Sequence, residues 1–258
     1  MGSIKSLTKS VVYGALAIST SRRGIKRTIG GEEIRFPARW FRYYEADYEP
    51  ETFSFLRANL KEGQTALDVG AHIGLFSVVM ARLVGASGHV FSFEPTPLTN
   101  KVLKETVRLN RCEEIVEVRA EAVSNKTGTA TFYDTGHAAS NANSLVKGEK
   151  SRGGLEVKTT SIDDFAGARG LSVNCIKIDV EGAELHALRG GARTFAEHRP
   201  VVSLGLHPPF LGDAKADLSE IWKLLRDYRM AVVYKGQAVE EAWFCQQRDL
   251  FDVHLFPQ

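Results

Sequence analysis

The sequence predicts an α/β fold built on a doubly wound, mostly parallel sheet of seven strands. Three observations carry this prediction. From Thr65 onward, short apolar runs alternate with helical patterns. The runs are almost continuously apolar, as in a sheet covered on both faces. A glycine-containing turn joins the first of these strands to the first helix. With 258 residues and 43% hydrophobic content, the chain is large enough to bury one sizeable core.

Residues 1–50 read as an N-terminal extension, partly irregular and rich in aromatics (Trp40, Phe41, Tyr43, Tyr44 and Tyr48). These rings either pack on the domain or form a substrate wall. Residues 51–258 read as the main domain. Thr65–Val69 is a buried strand ending at Gly70, and Leu75 to Leu83 follows with helical spacing. His89–Phe93 is the second strand and ends at Glu94-Pro95. Leu98 to Asn110 reads as a helix. Val116–Val123 is the third strand, Cys175–Val180 the fourth and Val201–Leu206 the fifth. Leu218 to Tyr228 is a helix, and Ala231–Tyr234 and Phe251–Phe256 complete the strands. An insertion over residues 125–163 breaks the alternation. Thr129–Tyr133 and Leu155–Thr160 look like half-buried strands of a β-hairpin. The polar Asp134–Gly154 segment between them reads as a mobile acceptor-side lid.

Charge excludes some functions. The 33 basic and 31 acidic residues leave a net +2, so no nucleic-acid partner is expected. Lys5, Lys9, Arg22, Arg23, Lys26 and Arg27 all precede Glu32. They read as a solvated arm; the sharper alternative is contact with an anionic substrate or membrane surface. Cys112, Cys175 and Cys245 form no C-x-x-C pair, so neither a zinc knuckle nor a disulfide framework is indicated. Reduced thiols, a cytoplasmic location and no secretion leader are the expectations. The run Val11 to Ile18 is too short to span a bilayer.

The stretch Leu67-Asp68-Val69-Gly70-Ala71-His72-Ile73-Gly74 carries the most chemistry. A strand enters a glycine turn that opens a helix, where backbone approaches a ligand closely and N–H groups are free. Glu94 ends the next strand, 20 residues after Gly74. An acid there accepts hydrogen bonds from ribose hydroxyls. The dinucleotide fingerprint G-x-G-x-x-G and the phosphate-loop run G-x-x-x-x-G-K-[ST] are both absent, which disfavours a dehydrogenase and a nucleotide triphosphatase. A nucleoside bearing a sulfonium amino acid suits this turn. Asp68 either caps the turn or serves that ligand.

The chain resembles the FkbM-type S-adenosylmethionine methyltransferases. The matching pieces are YEPETF (Tyr48–Phe53), LDVGAHIGLFS (Leu67–Ser77), FSFEPTP (Phe91–Pro97), EAVSNKTG (Glu121–Gly128) and IKIDVEGAELHALRGG (Ile176–Gly191). The resemblance implies a Rossmann-like fold and S-adenosyl-L-methionine as cofactor, with S-adenosyl-L-homocysteine as product. It implies that Gly70, Ala71 and Gly74 line the methionine part, Glu94 holds the ribose and Ala122 flanks the adenine. It implies a hydroxyl acceptor on a sugar, glycolipid or natural product.

At the carboxyl ends of the first and fourth strands, Gly70 and Asp179 flank the crevice where such sheets bind ligands, with His207 at the end of the fifth. Asp179 and His207 are the expected catalytic residues. His207 is the expected general base, because free histidine titrates near ~6.5 and aspartate near ~3.9. Asp179 orients the acceptor or the imidazole, or binds the cofactor. Glu184 caps its helix or pairs with Arg189. Asp179, Glu181 and His207 are a donor set for a divalent metal, an alternative not adopted at this point. Two other functions stay open: a nitrogen or protein methyltransferase, and a non-catalytic nucleoside-binding scaffold. Oligomeric state stays open too, a homo-oligomer included.

Overall fold

The computed structural model describes residues 23–134, 145, 153–211 and 218–258. The chain opens on an antiparallel hairpin, β1 (Ile25–Ile29) and β2 (Glu32–Phe36). The extension expected to be partly irregular therefore contains regular structure. The alternation in Glu33-Ile34-Arg35-Phe36 explains it, since Ile34 and Phe36 are buried and the charged residues face out. Helix α1 (Pro50–Asn59) begins with proline in its first turn, where the missing N–H has no partner to lose. It buries Phe53, Phe55 and Leu56.

The main domain runs β3 (Thr65–Val69), α2 (Leu75–Val84), β4 (His89–Phe93), α3 (Pro97–Leu109), β5 (Val116–Arg119), β6 (Glu121–Val123), β7 (Gly128–Asp134), β8 (Gly153–Thr160), α4 (Ile162–Arg169), β9 (Cys175–Ile178), α5 (Glu184–Arg189), α6 (Ala192–Glu197), β10 (Val201–Leu206), α7 (Pro208–Leu211), α8 (Leu218–Asp227), β11 (Met230–Tyr234), β12 (Gln237–Ala238), α9 (Glu241–Cys245) and β13 (Phe251–Pro257). The large sheet has order β12-β11-β13-β10-β9-β3-β4-β5. Pairing is parallel from β10 to β5 and antiparallel beyond β10.

This is the expected Rossmann-like, doubly wound architecture, with eight strands in place of seven. The added strand, β12, is two residues long and follows the Lys235-Gly236 turn. So short a strand leaves no periodicity to read. The third strand also differs: Val116–Val123 divides between two sheets. Arg119 is the last β5 residue in register with β4, and its carbonyl accepts from the Glu94 N–H and the Asn100 amide. Glu121–Val123 then pairs in parallel with Lys158–Thr160 in a separate sheet of order β6-β8-β7. The expected hairpin, β7 with β8, completes that small sheet. Between its strands only Leu145 is described, packed against Ala122, Phe132 and Val157. Of the lid segment, Asp134 belongs to β7 and Gly153 and Gly154 to β8; residues 135–144 and 146–152, together with Lys5, Lys9, Arg22 and the Val11 to Ile18 run, lie outside the described residues.

Side-chain alternation on β3 divides the interior. Leu67 and Val69 point into one apolar layer with α4, α5 and α8, and Ala66 joins the opposite layer with α1 and α2. Asp68 shares that second face, and so a charge is buried against helix α2. Among the described residues no helix is long and apolar enough to cross a membrane.

Candidate active site

A polar row crosses the sheet at one level. Asp68 on β3 has Ser92 on β4 and Lys177 on β9 as its register partners. Asp68 is fully buried, and its Oδ2 accepts from the Ser77 hydroxyl at 2.6 Å. Ser92 donates in turn to Ser77 Oγ at 2.9 Å. Asp68 Oδ1 has no partner among the described residues. Burial pushes the Asp68 carboxyl above its usual range, against the pull of Lys177 and Ser77.

Lys177 was not anticipated. Its Nζ lies 2.9 Å from Asp179 Oδ2 and 5.2 Å from the centre of the Phe76 ring. Burial would favour the neutral amine, but Asp179, Glu49 and Asp68 hold its pKa above the ordinary value. The signal was present: a lysine inside the apolar strand Cys-Ile-Lys-Ile-Asp-Val, two residues before Asp179 and hence on its face.

The glycine turn brings strand ends together. Gly70 has φ +81°, and a Cβ there would lie 1.8 Å from the Asp179 carbonyl oxygen. The two strands that flank the crevice thus meet at a residue that tolerates no side chain. The Gly70 and Ala71 N–H groups both donate to the Phe93 carbonyl, at 3.1 and 3.0 Å. The His72 N–H donates to Glu94 Oε2 at 3.1 Å. Three amides expected to be free for a ligand are therefore engaged within the protein. Gly74 stands behind the turn. It is not part of the cleft wall, and a Cβ there would meet Leu103 Cδ1 at 2.6 Å, so its missing side chain serves packing of α2 on α3.

Glu94 is 7% exposed and ties two turns together. Its Oε1 accepts from the Thr96 N–H at 2.8 Å, while Oε2 takes the His72 amide. Burial outweighs these bonds and raises the carboxyl to about 7.

These groups line a cleft. Asp68, Gly70, Ala71, Glu94, Ala122 and Asp179 all border it, as do Tyr43, Tyr44 and Tyr48 from the extension. Tyr44 is buried, and its hydroxyl lies 3.1 Å from His72 Nδ1. All five aromatics pack on the core, and the three tyrosines also border the cleft.

At the β9–β10 end of the cleft, three carboxylates surround one imidazole. His207 Nδ1 is 2.7 Å from Glu184 Oε1, and Nε2 is 3.5 Å from Asp179 Oδ1 and 3.4 Å from Glu181 Oε2. Glu184 is fully buried, and its Oε1 also accepts from the Gly182 N–H at 2.9 Å. It does not pair with Arg189, which reaches Glu220 at 2.7 Å. Burial favours neutral histidine, but the Glu184 hydrogen bond and the charges of Glu184, Glu181 and Asp179 overcome it and lift His207 to about 9. The surrounding carboxylates thus favour the protonated imidazole over the free base expected, and the ring is not on the cleft lining. Asp179 and Glu181 stand on the lining instead. Burial pushes Asp179 up, yet Lys177 and His207 more than compensate and keep its carboxyl below the usual range. Burial raises Glu181 to about 7 despite His207.

Known proteins share this plan. The model of the Methyltransferase FkbM domain matches residues 68–230. Methyltransferase sdnD of Sordaria araneosa is 29% identical over 163 residues, 52% of this chain and 62% of sdnD, so the match leaves more than a third of that relative uncovered. Hexuronic acid methyltransferase AglP of Haloferax volcanii is 27% identical over 187 residues, covering 69% of this chain and 74% of AglP. Among solved structures, a candidate rRNA methylase of Clostridium thermocellum superposes with TM-score 0.50 at 9% identity, over 80% of this chain and 93% of that one. Methyltransferase FkbM from Methylobacillus flagellatus gives TM-score 0.47 at 15% identity, over 80% of this chain and 51% of that one. With the family model spanning more than half of it, this chain belongs to the FkbM family of S-adenosylmethionine-dependent methyltransferases.

Proposed function

We propose that this chain transfers a methyl group from S-adenosylmethionine to a hydroxyl oxygen on a sugar, glycolipid or natural product. The observation that carries the reading is the charge of the cleft. Among the described residues its wall carries Asp68, Glu94, Glu121, Asp179 and Glu181 against Lys177. A pyrophosphate would be repelled there, whereas a cofactor with a sulfonium and an ammonium is attracted. When bound, S-adenosylmethionine supplies an electrophilic methyl group.

The residues fit such a cofactor. The orphaned Asp68 Oδ1 offers an acceptor beside the turn. Gly70 and Ala71 give close backbone approach. Glu94 oxygens would accept from ribose hydroxyls, and Ala122, with Phe132 and Leu145 beside it, offers an apolar wall for the adenine. Asp179 and Glu181 would face the acceptor, so loss of the hydroxyl proton falls to the carboxylate side of the cleft, with His207 holding those carboxylates in place. The likeness to a hexuronic acid methyltransferase supports a sugar acceptor.

The test is turnover against a panel of hydroxylated sugars and glycolipids, read as demethylated cofactor formed and as one methyl group added, located by NMR. Methyl addition at oxygen is the expected result. Addition only at nitrogen, or cofactor binding without turnover on any acceptor, refutes the reading.

A further inference from the structure

The cluster around His207 has a feature that an ordinary ion-pair network does not need. His207 Nε2 belongs to a side chain 6% exposed, and it points between two carboxylate oxygens at 3.4 and 3.5 Å. Both separations exceed the length of a well-formed N–H···O bond. Glu184 fixes the other ring nitrogen. Its Oε1 accepts from the Gly182 amide, so His207 Nδ1 is the donor to it. A buried carboxylate holding the far nitrogen of a histidine is the arrangement that orients a metal-ligating imidazole. Asp179 is divided in the same way: Oδ2 is on Lys177 and Oδ1 is turned toward His207. Asp179, Glu181 and His207 can each present one ligand atom, all within 4.8 Å of one another.

We propose that Asp179 Oδ1, Glu181 Oε2 and His207 Nε2 form a divalent-cation site, in which the cation takes the place of the Nε2 proton and releases it to water, with Glu184 as the positioning residue behind the imidazole. Neighbouring ligands around a cation with bonds of ~2.1 Å lie about 3 Å apart, so the imidazole–carboxylate separations of 3.4 and 3.5 Å need to close only slightly. Two carboxylate oxygens and one imidazole suit Mn²⁺ or Mg²⁺. Three protein ligands leave coordination positions open toward the cleft, because Asp179 and Glu181 line it.

The inference rests on the proposed function and gives it a way to hold its acceptor. A sugar with adjacent oxygens would bind the cation through them, a uronate through its carboxylate as well. An anionic sugar would otherwise meet Asp179 and Glu181 directly. In the transfer the acceptor oxygen forms the new O–C bond as the S–C bond breaks. The S–C electron pair stays on sulfur, which becomes a neutral thioether. The hydroxyl proton, made more acidic by the cation, passes to water.

The test uses the full chain, freed of metal by chelation and titrated with Mn²⁺ by electron paramagnetic resonance and calorimetry. S-adenosylhomocysteine binding is measured on the same samples. One saturable Mn²⁺ per chain is expected. Glu181→Gln should weaken it by on the order of 10–100-fold or more, and Glu184→Gln, acting through the imidazole, by about 10–100-fold. The thermal unfolding of Glu181→Gln, a conservative change on the cleft wall, establishes that it is folded. Absence of saturable Mn²⁺ binding, or binding unchanged in both Glu181→Gln and Asp179→Asn, overturns the cation site. If S-adenosylhomocysteine binds and Mn²⁺ does not, the cation site alone fails. If Mn²⁺ binds at these residues and S-adenosylhomocysteine does not, the cation site stands and the cofactor assignment fails.

Discussion

The two ends of the cleft stabilise buried acids by different means. At the β3–β4 end, Asp68 and Glu94 are held by Ser77 and by the amides of His72 and Thr96. At the β9–β10 end, Asp179 and Glu181 face Lys177 and His207. Neutral donors leave an acid's pKa raised by burial, as at Glu94; Lys177 and His207 together override burial at Asp179, while at Glu181, farther from Lys177, burial still wins. The first end is therefore held by neutral donors, and under the proposed function removing one acid there would subtract one cofactor contact. The second end is a balance of charges, where each removal leaves an uncompensated partner. Its members should be strongly coupled.

The largest effect expected from this contrast is at Asp179. Asp179→Asn keeps the shape but removes a charge from the acceptor side. Turnover should fall by ~10²–10⁴-fold, the range for losing a group that assists removal of the reacting proton, directly or through a bound cation. S-adenosylhomocysteine affinity should change far less. Steady-state rates and calorimetry on one preparation decide it, and a variant that loses affinity but keeps turnover would reverse the assignment of the two ends. Glu94→Ala should do the opposite. Losing hydrogen bonds to a charged group amounts to about 1.5–3 kcal/mol, or roughly 10–150-fold in cofactor affinity. An unchanged affinity would remove Glu94 from the cofactor site.

A smaller effect follows from pH. Ribose hydroxyls donate best to an ionised Glu94, whose carboxyl titrates at about 7 in the free protein. Affinity should fall as pH drops through that value, by about tenfold one unit below it if only the carboxylate binds. Stability runs the other way. An acid whose folded pKa is raised contributes stability at pH values below its unfolded pKa, near ~4.3. That contribution is lost as pH rises toward 7. Glu94→Gln should flatten both slopes over pH 5–8, whereas Asp68, the nearest other charge facing Glu94, remains. A pH slope that survives Glu94→Gln would assign the titration to another group.

Local signals made much of this legible. The apolar runs at Thr65–Val69, His89–Phe93 and Val201–Leu206 are strands with the boundaries read from sequence. The β3–β4 end was readable too, because Gly70, Asp68 and Glu94 sit at chain positions that motif spacing specifies. The other end was legible only in part, because the sequence named Asp179, Glu181 and His207 together. His207 looked like a free base because its intrinsic pKa is near neutral, and the Glu184 contact that fixes its far nitrogen and helps shift it is revealed only by the fold. Gly74 looked like part of the cofactor turn, but its requirement comes from Leu103, a packing contact from the next helix. Val116–Val123 read as one strand because periodicity is blind to a change of sheet.

The smallest effect expected tests whether burial, rather than the ion pair itself, gives the β9–β10 end its sensitivity. Arg189 and Glu220 form a pair at 2.7 Å, slightly shorter than Lys177 and Asp179 at 2.9 Å. Distance alone would rank it at least equal. The environments differ: the Arg189 and Glu220 side chains are 47% and 48% exposed, while Lys177 is 6% exposed. Water screens the first pair, so Arg189→Met should lower stability by only ~0.2–1 kcal/mol. Lys177→Met leaves Asp179 without its nearest cation in a poorly solvated cleft, and breaking a buried pair from one side costs about 3–5 kcal/mol. Urea unfolding of both variants, with matching m-values, gives the two losses directly. Comparable losses would mean that geometry outweighs desolvation in this protein, and the contrast between the two ends of the cleft would then need another cause. A near-silent Arg189→Met beside a severe Lys177→Met would trace the sensitivity of the β9–β10 end to the exclusion of water from its charges.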